Sequence, residues 1–294
     1  MNTKTKIRKV LVISEILLLL IITIIAYRVI THKSNPYTIT QYGNDEGLQK
    51  MCYSVLTPTG ELIMIDGGSA EDENQVRKII NEHGGTVHAW FLTHPHDDHI
   101  GAFNEIFEDP QQIKVKSVYA TDIDYENYKK KAKEWDKIEF CKRFLELMEG
   151  YEELTYLHEN DEFDMFGLSL KVFHAAKPGV MANNSSLVFK LSGKKQSLLI
   201  TGDVGIKLSD EIIANHKEDL KADYLQMAHH GNGGLSDEFY DIVHPSVAFF
   251  DAPKWLREPT DDSTWNTPYL MDLMSNMGAN VMTYETTPNT VKLY

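Results

Sequence analysis

The stretch Phe91–Ala102, FLTHPHDDHIGA, decides how the rest of the chain is read. It sets three histidines and two aspartates in the six residues from His94 to His99, behind an apolar run and ahead of Ile100-Gly101. A polar surface turn would not be bracketed in this way by a strand end and a helix start. Side chains alternate along an extended turn, so His94 and His96 can face the same way and chelate one cation. Asp98 and His99 can then point to a second site nearby. Imidazole and carboxylate donors suit zinc, manganese or iron. Two such cations about 3.5–4 Å apart can share a hydroxide and clamp a phosphate or carbonyl oxygen. The chain has only two cysteines, Cys52 and Cys141, so a thiolate cluster is excluded.

Working outward, four apolar runs share one habit. ELIMIDGG ends in Asp66-Gly67-Gly68, HAWFLTHPHDDH in the opening cluster, SLLITGD in Gly202-Asp203, and DYLQMAHHG in His229-His230-Gly231. Each reads as a strand whose end carries acids or histidines, usually beside glycine. Rigid strand ends present functional groups on loops, and four of them suggest a single convergent site. Alternation of such strands with helical stretches implies a mixed α/β domain. The segment YENYKKKAKEWDKIEFCKRFLELMEGYEEL, residues 125–154, reads as a solvated helix or helix pair. Its apolar face would be Trp135, Ile138, Phe144, Leu145 and Met148. A role in gating substrate is the alternative.

THPHDDHIGA resembles the signature loop of the metallo-β-lactamase-fold hydrolases. Asp66-Gly67-Gly68, Thr201-Gly202-Asp203 and Ala228-His229-His230-Gly231 resemble later landmarks of that family, in the same order. The A-H-H-G loop and the N-x-S-L-V segment at Asn184–Val188 are most similar to one branch, the hydrolase domain of competence DNA-uptake channel proteins and its stand-alone relatives. Phosphorylcholine esterases of bacterial surfaces are also similar in this loop. The resemblance implies an αββα four-layer sandwich and two metal ions, zinc by preference, with manganese or iron as alternatives. It implies that His94 and His96 hold the first ion, that Asp98, His99 and one histidine of the A-H-H-G loop, His229 by preference, hold the second, and that Asp203 bridges them. Asp66 would orient a ligand rather than bind metal. His230 would be a general acid or oxyanion donor, or would only pack behind His229.

One departure stands out. The family places a further histidine on the first metal, but no histidine lies between His174 and His216 here. Asn183, Asn184, His174 or water is left to fill that place.

The first thirty residues differ in kind. Lys4, Lys6, Arg8 and Lys9 precede the 21-residue apolar run Val10–Ile30, whose acid is Glu15. That length suits a bilayer, and the positive flank favours a cytoplasmic N-terminus. Residues 1–9 therefore read as a cytoplasmic tail, 10–30 as an uncleaved transmembrane signal anchor, 31–36 as a linker and 37–294 as an extracytoplasmic hydrolase domain. Residues 1–30 hold five basic residues and one acid, which leaves 24 basic and 42 acidic residues beyond them, a net of −18. Such a surface disfavours long nucleic acid, and no protein partner is legible. The expected chemistry is hydrolysis by a metal-bound hydroxide, with Asp98 or Asp203 taking the proton. A phosphoester or phosphodiester is the preferred substrate. A lactone or β-lactam, or a degenerate metal-binding surface protein, is the alternative.

Overall fold

The computed structural model describes residues 13–24, 35–44, 47–133, 136–179, 182–260, 264–284 and 287–294. Two seven-stranded mixed sheets face one another. The first runs in the order β16-β1-β2-β3-β5-β7-β8 and includes β1 (Tyr37–Gln41), β2 (Cys52–Leu56), β3 (Leu62–Asp66), β5 (Ala89–Leu92), β7 (Val118–Thr121), β8 (Leu154–Leu157) and β16 (Asn289–Leu293). The second runs β15-β14-β13-β12-β11-β10-β9. Its strands are β9 (Glu162–Met165), β10 (Leu168–His174), β11 (Val188–Ser192), β12 (Ser197–Ile200), β13 (Tyr224–Gln226), β14 (Val247–Phe250) and β15 (Asn280–Thr283).

The central core lies between the sheets. Tyr53, Ile63, Ile65 and Phe91 of the first sheet meet Leu170, Phe189, Leu198 and Phe249 of the second. Phe91 stacks on Phe189 with ring centroids 4.9 Å apart. Each such ring contributes about 1.5–3 kcal/mol on burial, and this pair holds β5 against β11. Helices cover both outer faces. α2 (Glu73–Glu82), α3 (Asp97–Glu108) and α5 (Ile138–Met148) bury Ile80, Phe103 and Phe144 against the first sheet. α6 (Ser209–His216), α7 (Asp237–Val243) and α9 (Thr267–Asn276) bury Ile212, Phe239 and Leu270 against the second. The layers therefore run helix, sheet, sheet, helix.

This stacking positions the site. β3 and β5 are parallel neighbours, as are β12 and β13, and β13 and β14. Their C-terminal ends carry Asp66, the His94–His99 loop, Asp203, the His229-His230 turn and Asp251. Ligand sites of open α/β sheets favour such strand ends.

Of the expected N-terminal span, residues 13–24 are described, and they are helical (α1). No helix among the described residues is long and apolar enough to cross a membrane. The rest of the expected 10–30 span, and Trp135 of the expected apolar face, lie outside the described residues. The apolar side chains of α1, including Ile16, Leu17 and Leu19, are exposed.

Candidate metal centre

The Asp66-Gly67-Gly68 turn begins the site. Asp66 takes a left-handed backbone conformation, φ 51°, and this turn lies against the start of α3. Gly67 N donates to His99 O at 2.8 Å, and Ala102 N donates to Gly68 O at 3.2 Å. Gly101 is required there, since a Cβ would sit 2.4 Å from Ala70 N. The Asp66 carboxylate then accepts from Thr93 N (2.7 Å), from Thr93 Oγ1 (2.6 Å) and from His99 Nδ1 (2.7 Å). The loop that follows β5 is thereby pinned to the end of β3.

These bonds also set tautomers. Thr93 Oγ1 spends its proton on Asp66, so at 3.2 Å it accepts from His94 Nδ1. His99 Nδ1 donates to Asp66, and His230 Nδ1 donates to the Asp251 carbonyl at 3.1 Å. In each neutral ring the lone pair is left on Nε2. His94 Nε2, His99 Nε2, His230 Nε2 and Asp203 Oδ1 are all buried without a hydrogen-bond partner. Buried polar atoms are rarely left so.

The residues that carry these atoms fall, with His96 and Asp98, into two groups. His94, His96 and Asp203 form one; Asp98, His99 and His230 form the other. Separations across them include 3.8 Å for His94 Nε2 to Asp203 Oδ2, 3.1 Å for His230 Nε2 to Asp98 Oδ2, and 3.9 Å for His99 Nε2 to Asp98 Oδ1. Asp203 also lies 3.4 Å from both His99 Nε2 and His230 Nε2, so it reaches both groups. A tetrahedral zinc with bonds of about 2.0–2.1 Å has ligand–ligand edges of about 3.3–3.4 Å. The donor set and its spacing fit divalent cations.

The electrostatics agree. Burial, then the neighbouring His99 charge, holds His94 well below the usual histidine range. Burial also lowers His96. Burial would lower His230 as well, but the Asp203 and Asp98 carboxylates more than offset it and raise the ring to about 10. His99 is raised against burial by Asp203, Asp98 and Asp66. Asp98 and Asp203 are held low by those same rings, despite their burial. Without a metal, the two carboxylates are neutralised by protons on His99 and His230, a task that a bound cation takes over.

The structure places the expected residues unevenly. His94, His96, Asp98, His99 and Asp203 come together. The second group is completed by His230 rather than the expected His229. His229 (φ 52°) and His230 (φ 55°) are both left-handed, so the turn sends neighbouring rings apart, and their centroids lie 6.3 Å from one another. His229 Nε2 instead lies 3.3 Å from Asn183 Nδ2. Asp97 pairs with Lys137 at the surface.

The gap at the first group is narrowed. His174 Nε2 donates to the Asn184 carbonyl at 2.9 Å, and Asn184 Oδ1 accepts from Gly205 N at 2.9 Å. Both are committed to the loop. Asn183 Oδ1 is buried and unpaired, and Asn183 lines the same cavity as His96 and Asp203.

Two residues take roles that the sequence did not assign to them. Asp251, a fifth acid at a strand end, orients His230 through its carbonyl; the strand-end habit could have marked it. Asp136 lies beside His96 and carries no sequence signal. The cavity in front of these groups measures about 640 Å³, and Lys133, Asp136, Lys137, Asn183 and His229 stand around it.

Comparison with known proteins supports the same reading. The family profile described as "Metallo-beta-lactamase superfamily" matches residues 47–232. ComE operon protein 3 of Bacillus subtilis (strain 168) is 30% identical over 113 residues, covering 37% of this chain and 14% of that protein. The chain thus spans only a small part of that relative. Two solved structures share the fold. The metallo-beta-lactamase fold protein YhfI from Bacillus subtilis has a TM-score of 0.55 at 13% identity, covering 87% of this chain and 100% of that one. Unliganded yeast PDE1 has a TM-score of 0.54 at 12% identity, covering 88% and 100%. With the profile matching well over half of its length, the chain belongs to the metallo-beta-lactamase superfamily.

Proposed function

We propose that this protein is a metal-dependent hydrolase that cleaves a small phosphoester or phosphodiester, using two divalent cations, zinc by preference. His94, His96 and Asp203 hold the first, and Asp98, His99 and His230 hold the second, with Asp203 between them. The observation that carries this reading is the convergence of unpaired buried donors from the ends of β5, β12 and β13 beside one cavity. When bound, the cations polarise a substrate oxygen and acidify water. The chain's own groups do the rest. Asp98 is the more accessible of the two site carboxylates, 22% exposed against 3% for Asp203, so Asp98 takes the proton of the attacking water. Asn183 Nδ2, His229 and Lys133 border the cavity as donors for the non-reacting phosphoryl oxygens. Among the described residues, no ion pair occupies the Lys133 ammonium. The Lys133 ammonium suits an anionic ester better than a neutral lactam. The acidic surface of the domain restricts that ester to a small one.

The test is turnover of bis-p-nitrophenyl phosphate and p-nitrophenyl phosphorylcholine by zinc- or manganese-loaded protein, beside a chromogenic β-lactam. Cleavage of a phosphate ester that is lost in Asp203→Ala supports the proposal. Lactam cleavage alone, or no cleavage by metal-loaded protein, sinks it.

We also propose that residues 10–30 anchor the chain in a membrane, with the hydrolase domain outside the cytoplasm. The exposed apolar side chains of α1 support this. Recovery of the full chain in the soluble fraction, free of membrane, would contradict it.

A further inference from the structure

Three of the four histidines in the two triads are held from behind. His94 Nδ1 is held by Thr93, His99 Nδ1 by Asp66 and His230 Nδ1 by the Asp251 carbonyl. His96 breaks the pattern. Its Nε2 is buried and has no hydrogen bond. An acceptor stands beside it: Asp136 Oδ1, 3.6 Å away. The Asp136 side chain is only 9% exposed. Its other oxygen accepts from Lys133 N at 2.6 Å, and Asp136 N donates back to Lys133 O at 3.0 Å. This turn leaves Oδ1 directed at His96. Asp136 does not belong to the set of donors clustered with His94 and Asp203, so it sits behind His96 rather than among the ligands.

The segment carrying Asp136 connects α4 (Tyr125–Lys131) to α5 and is tied to the site twice more. Lys137 pairs with Asp97, beside His96. The buried Tyr128 ring of α4 lies 6.2 Å from the His96 ring.

We propose that Asp136 is a positioning residue for the first metal half-site, supplied by the connection between α4 and α5. A carboxylate can only accept, so Asp136 keeps the His96 proton on Nε2 and leaves the lone pair on Nδ1. His96 is thus held in the tautomer opposite to its three neighbours. A carboxylate–imidazole–metal relay of this kind raises ligand basicity and fixes ring orientation. Polar pairs of this sort are often slightly long in unliganded sites and tighten on binding. This inference rests on the metal reading of His96, but not on the choice of substrate.

The test uses the full chain in detergent, stripped with chelator and titrated with Co²⁺ alone, with affinity and visible absorption as readouts. The wild type takes up two ions. Asp136→Ala weakens one of them about 10- to 100-fold and leaves the other unchanged, which also reports that the fold is intact. Asp136→Asn, whose amide oxygen accepts the same proton more weakly, falls between the two. At saturation it gives the wild-type spectrum, because no ligand has been lost. Should the alanine variant not fold, the asparagine variant still decides the matter. Wild-type affinity for both ions in Asp136→Asn overturns the proposal. A changed spectrum at saturation overturns it too, since Asp136 would then be a ligand. A wild-type protein that binds no Co²⁺ overturns the metal reading along with it, whereas a two-ion wild type with indifferent variants overturns this inference alone.

Discussion

Replacing Asp66 separates the positioning of a ligand from the stability of the fold. Its carboxylate accepts three hydrogen bonds at 2.6–2.7 Å in a fully buried setting. Asp66→Ala strands three buried donors, at about 1–3 kcal/mol each, or roughly 3–9 kcal/mol together. That is comparable to the whole stability of a domain, about 5–15 kcal/mol, so little of this variant should fold. Asp66→Asn is the sharper experiment. Thr93 N can only donate, so the amide oxygen must stay in the Oδ1 position. The amide nitrogen then occupies the Oδ2 position and faces His99 Nδ1. The Thr93 hydroxyl can turn to accept, but His99 Nδ1 must become an acceptor and move its proton to Nε2, toward the cavity. The folding cost should be modest, about 1–3 kcal/mol. The second group, however, loses a lone pair, and one ion should bind at least about 10- to 100-fold more weakly. Calorimetric zinc titration, with denaturant unfolding of the stripped protein, measures both. An Asp66→Asn variant that binds two ions with wild-type affinity would refute the tautomer argument.

Three further outcomes are expected. The His230 pKa is raised to about 10 against burial, chiefly by Asp203; a raised pKa stabilises below the unfolded histidine value of about 6.5. That contribution fades as pH climbs toward about 10, so the melting temperature of stripped protein should fall over this range and that of metal-loaded protein should not; a flat profile for stripped protein contradicts it. Gly231→Ala meets both a positive φ of 79° and a Cβ contact of 2.3 Å to Phe250 Cδ1, and should cost about 2–5 kcal/mol in denaturant unfolding. Asn183→Ala should raise KM for a phosphodiester about tenfold, the loss of one hydrogen bond to a charged group, and leave zinc stoichiometry at two.

The strand ends were legible because apolar runs ending in acids, histidines and glycines are a local pattern, and the sheets bring those ends together as expected. The parts that escaped depend on backbone turns. His229 and His230 are equivalent by composition, and two successive left-handed residues decide which ring enters the site. Asn183 and Asn184 likewise share one 3₁₀ turn, Asn183–Ser185, whose register decides which amide faces the cavity. Asp136 sits among lysines and glutamates typical of a solvated helix, and only tertiary contact distinguishes it. Of the apolar N-terminal run, residues 13–24 are helical with their apolar side chains exposed.

The central claim is that two ions sit between two triads joined at Asp203. An anomalous difference map of zinc-loaded crystals tests it most directly. The account predicts two peaks, one among His94, His96 and Asp203 and one among Asp98, His99 and His230, with Asp203 touching both. A single peak held by His229, or no peak in this cavity, would contradict it.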